Sequence, residues 1–253
     1  MRCEPPFVDE LEDDNPLGSR EALLYSMAAC ARLCYGAGFV DREDWGKADP
    51  PLNGEGWRVV EQICESMNLD NRVQAACYVP QNPQLSGIGI VAIRGTVSFR
   101  GVLQDIAVGT PFMRRAIRHA IREACSFYLK CEARFPKLQL YITGHSLGGF
   151  IAQATATYVD APGAVFNCPG PVAVTPWKVL VGPHRPNFEV HLTRDDPLAF
   201  AVFPKPENFH HIAWPQWHPG SNHKICEPYM KAIEDMEGVG SLHGRLRNKT
   251  RCS

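Results

Sequence analysis

Leu138-Gln139-Leu140-Tyr141-Ile142-Thr143-Gly144-His145-Ser146-Leu147-Gly148-Gly149 is the stretch that decides the fold. Its first half is short, apolar and rich in β-formers, and predicts a strand over 138–143. The apolar run that opens at Leu147 predicts a helix to about residue 158. The turn between them is so tight that side chains at its flanks would collide, hence Gly144 and Gly148, while Ser146 is pushed outward at the helix start.

Outward from that turn, strands and helices alternate. Leu23, Leu24, Met27, Cys30, Ala31 and Cys34 form one stripe on a helix capped by Ser19, ending near residue 35, with Gly36 and Gly38 as its stop. Trp57, Val60, Ile63, Cys64 and Met67 recur at three and four residues and predict a second helix. Residues 73–79 and 88–93 read as hairpin-connected strands, the second apolar on both faces and therefore central. A long helix is expected over 112–132, further strands at 164–167 and 188–193, and a last helix over 223–236. Residues 204–222 are crowded with Pro, Trp and His and read as a long ordered loop. The alternation indicates an α/β fold, a mostly parallel central sheet with helices on both faces. It places one domain over 19–237, between an acidic N-terminal extension (1–18) and a basic tail (238–253).

Composition narrows the function. The chain has 253 residues, 45% hydrophobic, and a formal charge of -1. One large domain of this size buries roughly three quarters of its unfolded-state surface and needs no staples. Near-neutral charge supplies no overall field for gathering phosphates, so no nucleic-acid partner is expected. The N-terminus resembles no secretory leader and no segment reaches the ~20 apolar residues of a membrane span, so a cytoplasmic or non-classically exported protein is expected. Ten cysteines without a Cys-x-x-Cys pair read as mostly buried thiols, Cys30 and Cys34 sharing one helical face.

Ser146 is the candidate nucleophile. A serine hydroxyl needs a histidine to take its proton and a carboxylate to orient that histidine. The backbone N–H of Leu147 would face the developing oxyanion, and Ile93-Arg94-Gly95-Thr96, closing the central strand, offers a second donor at Thr96. Gly95 would let the backbone come close, and Arg94 is a candidate anchor to a carboxylate such as Asp105. In Thr193-Arg194-Asp195-Asp196-Pro197-Leu198, Asp196 is the chosen acid and Asp195 its nearest rival. Seven histidines follow Ser146. His223, 27 residues after Asp196 at a loop-to-helix junction, is the chosen base; His243, in the tail, and the loop histidines are its rivals.

Together these segments resemble the class 3 lipases, the α/β-hydrolase family of triacylglycerol lipases and phospholipase A1-type enzymes. The resemblance spans about residues 19–236. It rests on Arg94-Gly95-Thr96, Asp105, residues 141–149, Phe166-Asn167-Cys168-Pro169-Gly170, Asp195 to Leu198, and His223 with Tyr229. It implies an α/β-hydrolase fold and acyl-lipid ester hydrolysis through an acyl-enzyme, without a cofactor. The nucleophile, acid and base match Ser146, Asp196 and His223, and the oxyanion donors match Thr96 and Leu147. The segment 97–112, where a lid would sit, has few bulky residues, which favours dispersed esters over bulk oil.

Acyl transfer through the same site, or a non-catalytic scaffold binding a lipid or a protein, are the competing readings. The cationic face of Arg114, Arg115, Arg118, His119 and Arg122, and the tail cations Arg245, Arg247, Lys249 and Arg251, could touch anionic headgroups of a lipid surface. A solvated helix face and a loose terminus are the blander readings. His210, His211, His218 and His223 fit no metal-ligand spacing. Phe209, Trp214 and Trp217 could wall an acyl groove or simply pack.

Overall fold

The computed structural model describes residues 20–36, 56–63, 73–81, 87–95, 111–168, 188–193 and 209–212. These form helices α1 (Arg20–Gly36), α2 (Pro111–Arg134) and α3 (Leu147–Val159). The strands are β1 (Trp57–Ile63), β2 (Ala75–Pro80), β3 (Ile88–Ile93), β4 (Gln139–His145), β5 (Gly163–Phe166), β6 (Phe188–Thr193) and β7 (Phe209–Ile212).

Among the described residues there is one sheet, its strands ordered as in the chain. β1, β2 and β3 pair antiparallel, and β3 to β7 pair parallel. The expected central strand, β3, is buried along its whole length. The crossovers from β3 to β4 and from β4 to β5 step in the same direction across the sheet. A common handedness therefore puts α2 and α3 on the same face, where Ile117, Ile121, Phe127, Phe150 and Ile151 pack against Val91, Ile93, Ile142 and Val165. The opposite face is covered by α1, whose Leu23, Met27 and Cys30 meet Trp57, Tyr78, Ile90, Tyr141 and Phe166.

α1 lies flat on that face, and from Ala22 to Cys34 every side chain except Arg32 is buried. A helix buried all round has to be apolar all round, and its polar groups are satisfied locally. Ser26 Oγ donates to Ala22 O at 2.8 Å, and Thr143 Oγ1 reaches across from β4 to donate to Met27 O at 3.3 Å. Cys34 Sγ donates to Ala92 O at 3.4 Å. Among the described residues all six cysteines are free thiols, and only Cys125 is not fully buried. The neighbouring Cys131 thiol, together with burial, pushes Cys77 well above the ordinary thiol range, and burial pushes Cys125 up. Such thiols stay protonated and inert.

Two expectations are corrected. The helix expected around Trp57 to Met67 is in fact strand β1 over Trp57–Ile63. A bulge between Val59 and Glu61 inserts Val60 into the ladder. As a result Trp57 and Val59 serve the α1 side while Val60 and Ile63 serve the α2 side. An apolar strand with one extra residue thus reproduces a spacing of three that imitates a helix. The loop expected over 204–222 contains β7, a four-residue strand parallel to β6. Phe209-His210-His211-Ile212 is too short to show a period, and the open edge of β6 supplies the pairing. The extension 1–18, the segment 97–110, the helix expected over 223–236 and the tail lie outside the described residues.

The bulge also presents Glu61 to α2, where its carboxylate accepts from Lys130 Nζ at 3.2 Å and from Arg134 Nη1. Burial works to raise the Glu61 carboxyl, but the two cations outweigh it and hold it below its ordinary value of 4.5. A depressed carboxylate contributes stability above that ordinary value and loses it as pH falls through the folded-state value. Both cations are largely exposed, so Glu61→Gln should cost no more than about 1 kcal/mol at pH 7. Urea titrations of the two proteins should converge as the pH is lowered below 4.5; a difference that persists unchanged at acid pH would contradict this account.

Candidate active site at the strand-to-helix turn

β4 runs into α3 with Ser146 as the single residue between them. Ser146 takes φ 57° and ψ -131°, outside the favoured regions of an L-residue, at a cost of about 1–3 kcal/mol. Its surroundings hold it there. The Ser146 N–H donates to Phe166 O on β5 at 3.1 Å, and Ser146 O accepts from Phe150 N at 3.2 Å, starting the helix.

The flanking glycines are required by contact. A Cβ on Gly144 would lie 2.6 Å from the carbonyl atoms of Gly148, and one on Gly149 would lie 2.7 Å from Cys168 Cβ. A Cβ on Gly148 would lie 2.2 Å from Ile93 O and 2.6 Å from Gly95 N. The first turn of α3 is therefore laid backbone against backbone on the end of β3. The sequence asks for glycine at 144 and 148 because the turn is tight; the structure adds the contact of α3 with β3, which brings Gly95, the residue before Thr96, against the turn.

Ser146 sits at the N-cap of α3, where a serine oxygen ordinarily accepts from an N–H of the first turn. Here its hydroxyl makes no cap hydrogen bond. The helix start thus keeps N–H donors at a position of positive partial charge, beside a hydroxyl that helix formation does not use. Ser146 is only 6% exposed, a dry setting in which such donors act strongly on developing charge.

The sheet edge beside the turn is polar and ordered. Arg94 is buried; its N–H donates to Gln74 O at 2.9 Å and its Nη1 to Gln74 Oε1. On β6, buried Glu189 and His191 are bonded Oε2 to Nε2 at 2.8 Å, and the His191 ring stacks on Phe166 at 5.5 Å. Asn167, at φ 44°, donates its N–H to His191 O at 2.9 Å. His145, Phe166, His191 and His210 are register partners across four adjacent strands. His191, one of the seven histidines after Ser146, is thus engaged within the sheet. Sequence reasoning passed over Glu189, although residues two apart on a strand share a face.

Of the site residues read from the sequence, Ser146 and Leu147 are described, at the turn and in the first turn of α3. Thr96, Asp196 and His223, with Asp105, Asp195 and His243, lie outside the described residues. Among the described residues no group of His, Cys, Asp and Glu could hold a metal ion, and no helix is long and apolar enough to cross a membrane.

No protein-family model and no curated protein sequence matches the chain. Its fold does have solved counterparts. An MDLA mutant from Penicillium cyclopium superposes with a TM-score of 0.50 at 15% identity, covering 91% of this chain and 92% of that one. Lipase II from Rhizopus niveus gives 0.49 at 13% identity over 79% of this chain and 82% of its own. A Rhizomucor miehei lipase propeptide complex gives 0.47 at 15% identity over 82% and 76%. The second and third of these are lipases by name. At this identity the likeness is one of fold, and the fold is the expected α/β sheet with helices on both faces.

Two substitutions test how the turn is held. Gly148→Ala forces α3 away from β3 and should cost about 3 kcal/mol or more, a fall in melting temperature of roughly 6–12 °C. A calorimetric midpoint within a degree of the parent would show that the contact is soft. Glu189→Ala removes a buried hydrogen bond and should cost about 1.5–3 kcal/mol in urea denaturation, whereas Glu189→Gln keeps an acceptor and should cost less.

Proposed function

We propose that the chain is a serine carboxylic-ester hydrolase acting on acyl lipids. One observation carries the reading. Ser146 is held at a positive φ between a buried strand and a buried helix, with a hydroxyl that takes no part in capping that helix. Strain of this kind persists only where the surrounding structure over-determines it, and it clusters at functional sites.

In this reading Ser146 Oγ attacks the ester carbonyl carbon while His223 takes its proton, and Asp196 orients the imidazole and stabilises its charged form. The N–H groups of Leu147 and Thr96, with the Thr96 hydroxyl, hold the oxyanion. The tetrahedral species collapses, the alcohol leaves with the proton from His223, and an acyl-serine remains. Water then attacks that ester with His223 as base, releasing the fatty acid and restoring the Ser146 hydroxyl.

Chain connectivity supports the partners. β4 and β6 belong to the parallel part of the sheet and end at the same edge. Asp196 follows the end of β6 by three residues, and Thr96 follows Gly95, which the structure sets beside the turn. Nothing in the chemistry calls for a cofactor.

Ser146→Ala should abolish fluorophosphonate labelling and lower p-nitrophenyl ester turnover at least ~1000-fold. Asp196→Asn should cost a comparable factor and Asp195→Asn far less. Continued labelling of the Ser146→Ala protein would remove Ser146 from the mechanism. Loss of turnover in Asp195→Asn alone would reassign the acid.

A further inference from the structure

We infer that the N-terminal half of α2 is a docking face for an anionic lipid surface, set so that the Ser146 end of the sheet meets that surface. The choice of a lipid, among anionic partners, rests on the proposed ester hydrolysis; the placement of the charge does not.

Arg115, Arg118 and Arg122 are all exposed. Spaced by three and four residues, they share one side of the helix, away from Ile117, Ile121 and Ala124, which pack on the sheet. The same outward stripe continues through Ser126, Leu129 and Ala133, also exposed and without charge. Further along, Lys130 and Arg134 are engaged by Glu61. Cations on the outward stripe are therefore confined to the first half of the helix.

That half lies at the level of the turn and beyond it. Glu123 Oε2 accepts from Val73 N at 3.2 Å. Val73 precedes Gln74, whose carbonyl accepts from Arg94 N at 2.9 Å, and Ala75 is paired with Ile93, itself paired with Gly144. Glu123 is thus level with the strand ends that carry the turn. α2 runs antiparallel to β4, so each residue before Glu123 stands about 1.5 Å further out. Arg115 stands about 12 Å past that level, at the end of the sheet where Ser146 lies.

The helix itself gives no reason for cations there. Its N-terminal end carries positive partial charge and favours carboxylates, yet the first turn has no acidic residue. His119 is paired with Glu123 at 3.5 Å. An external array of negative headgroups answers both the position of the arginines and the end of the helix on which they stand. Guanidinium groups suit phosphate oxygens, and the chain as a whole, at a formal charge of -1, has no long-range field to recruit a polyanion.

Flotation of the full-length Ser146→Ala protein with phosphatidylcholine vesicles, with and without about 30 mole per cent phosphatidylglycerol, separates docking from turnover. Binding is expected only to the anionic vesicles and should be released by 0.5 M salt, which shortens the Debye length from about 8 Å to about 4 Å. The triple variant Arg115→Glu, Arg118→Glu, Arg122→Glu should lose at least ~30-fold in partitioning, with an unchanged melting temperature. In an otherwise native chain the same three changes should leave hydrolysis of a short soluble ester intact. The milder pair Arg115→Gln, Arg122→Gln should fall between. Equal partitioning of the triple variant, equal binding to neutral vesicles, or equally tight binding of a DNA duplex at matched phosphate would overturn the inference. A native chain that docks but hydrolyses no soluble ester would instead count against the reading of Ser146.

Discussion

The structure turns on one contact of backbone with backbone, the first turn of α3 lying against the end of β3. Ile93 O stands where a side chain on Gly148 would begin, so the strand end and the helix start cannot separate without opening a void, nor approach more closely. That contact fixes where β4 must end, because only one residue joins β4 to α3. It also fixes the conformation of that residue. The N–H of Ser146 is taken by Phe166 O and its carbonyl by Phe150 N, leaving a positive φ as the geometry that satisfies both. The strain is a consequence of packing on three sides, and the hydroxyl is left pointing where helix formation has no use for it.

A strained residue needs a stiff bed, and the strands beside the turn supply one. Phe166, whose carbonyl holds Ser146, carries the ring that stacks on His191. His191 in turn is held by Glu189 within the sheet, and its carbonyl holds Asn167, a second residue at positive φ. A buried acid beside a buried imidazole is costly unless the two meet in good geometry. At 2.8 Å they do, and breaking the pair would expose each to that cost. The cooperative unit beneath the turn therefore extends over β4, β5 and β6, and it explains how a buried carboxylate and imidazole are held in β6.

Much of this was legible in the sequence where local pattern and tertiary demand agree. β3 and β6 fall where their apolar runs place them, and the turn is announced by glycines whose contacts leave no alternative. α1 was legible as a helix, but not as one buried on every side, because burial of that kind depends on the sheet face it covers. β1 was misread because a bulge mixes two faces at a spacing of three. β7 was missed because four residues carry no period and pairing with β6 alone makes them a strand. At the turn, sequence reasoning placed Ser146 between strand and helix from its neighbours. It passed over Glu189, since nothing local distinguishes a buried carboxylate from a solvated one, and only the strand's alternation pairs it with His191.

Charge shows the same division between the whole chain and the local surface. A formal charge of -1 excludes a general attraction for polyanions, yet it averages over a helix whose first half carries outward arginines and whose second half spends its cations on Glu61. The Debye length in physiological salt is about 8 Å, so a cluster acts on what lies against it and is not cancelled by acids elsewhere on the molecule. What matters for recognition is therefore the sign of the surface beside the turn. The long α2, which overruns the strands it covers, places that sign at the end of the sheet where Ser146 stands.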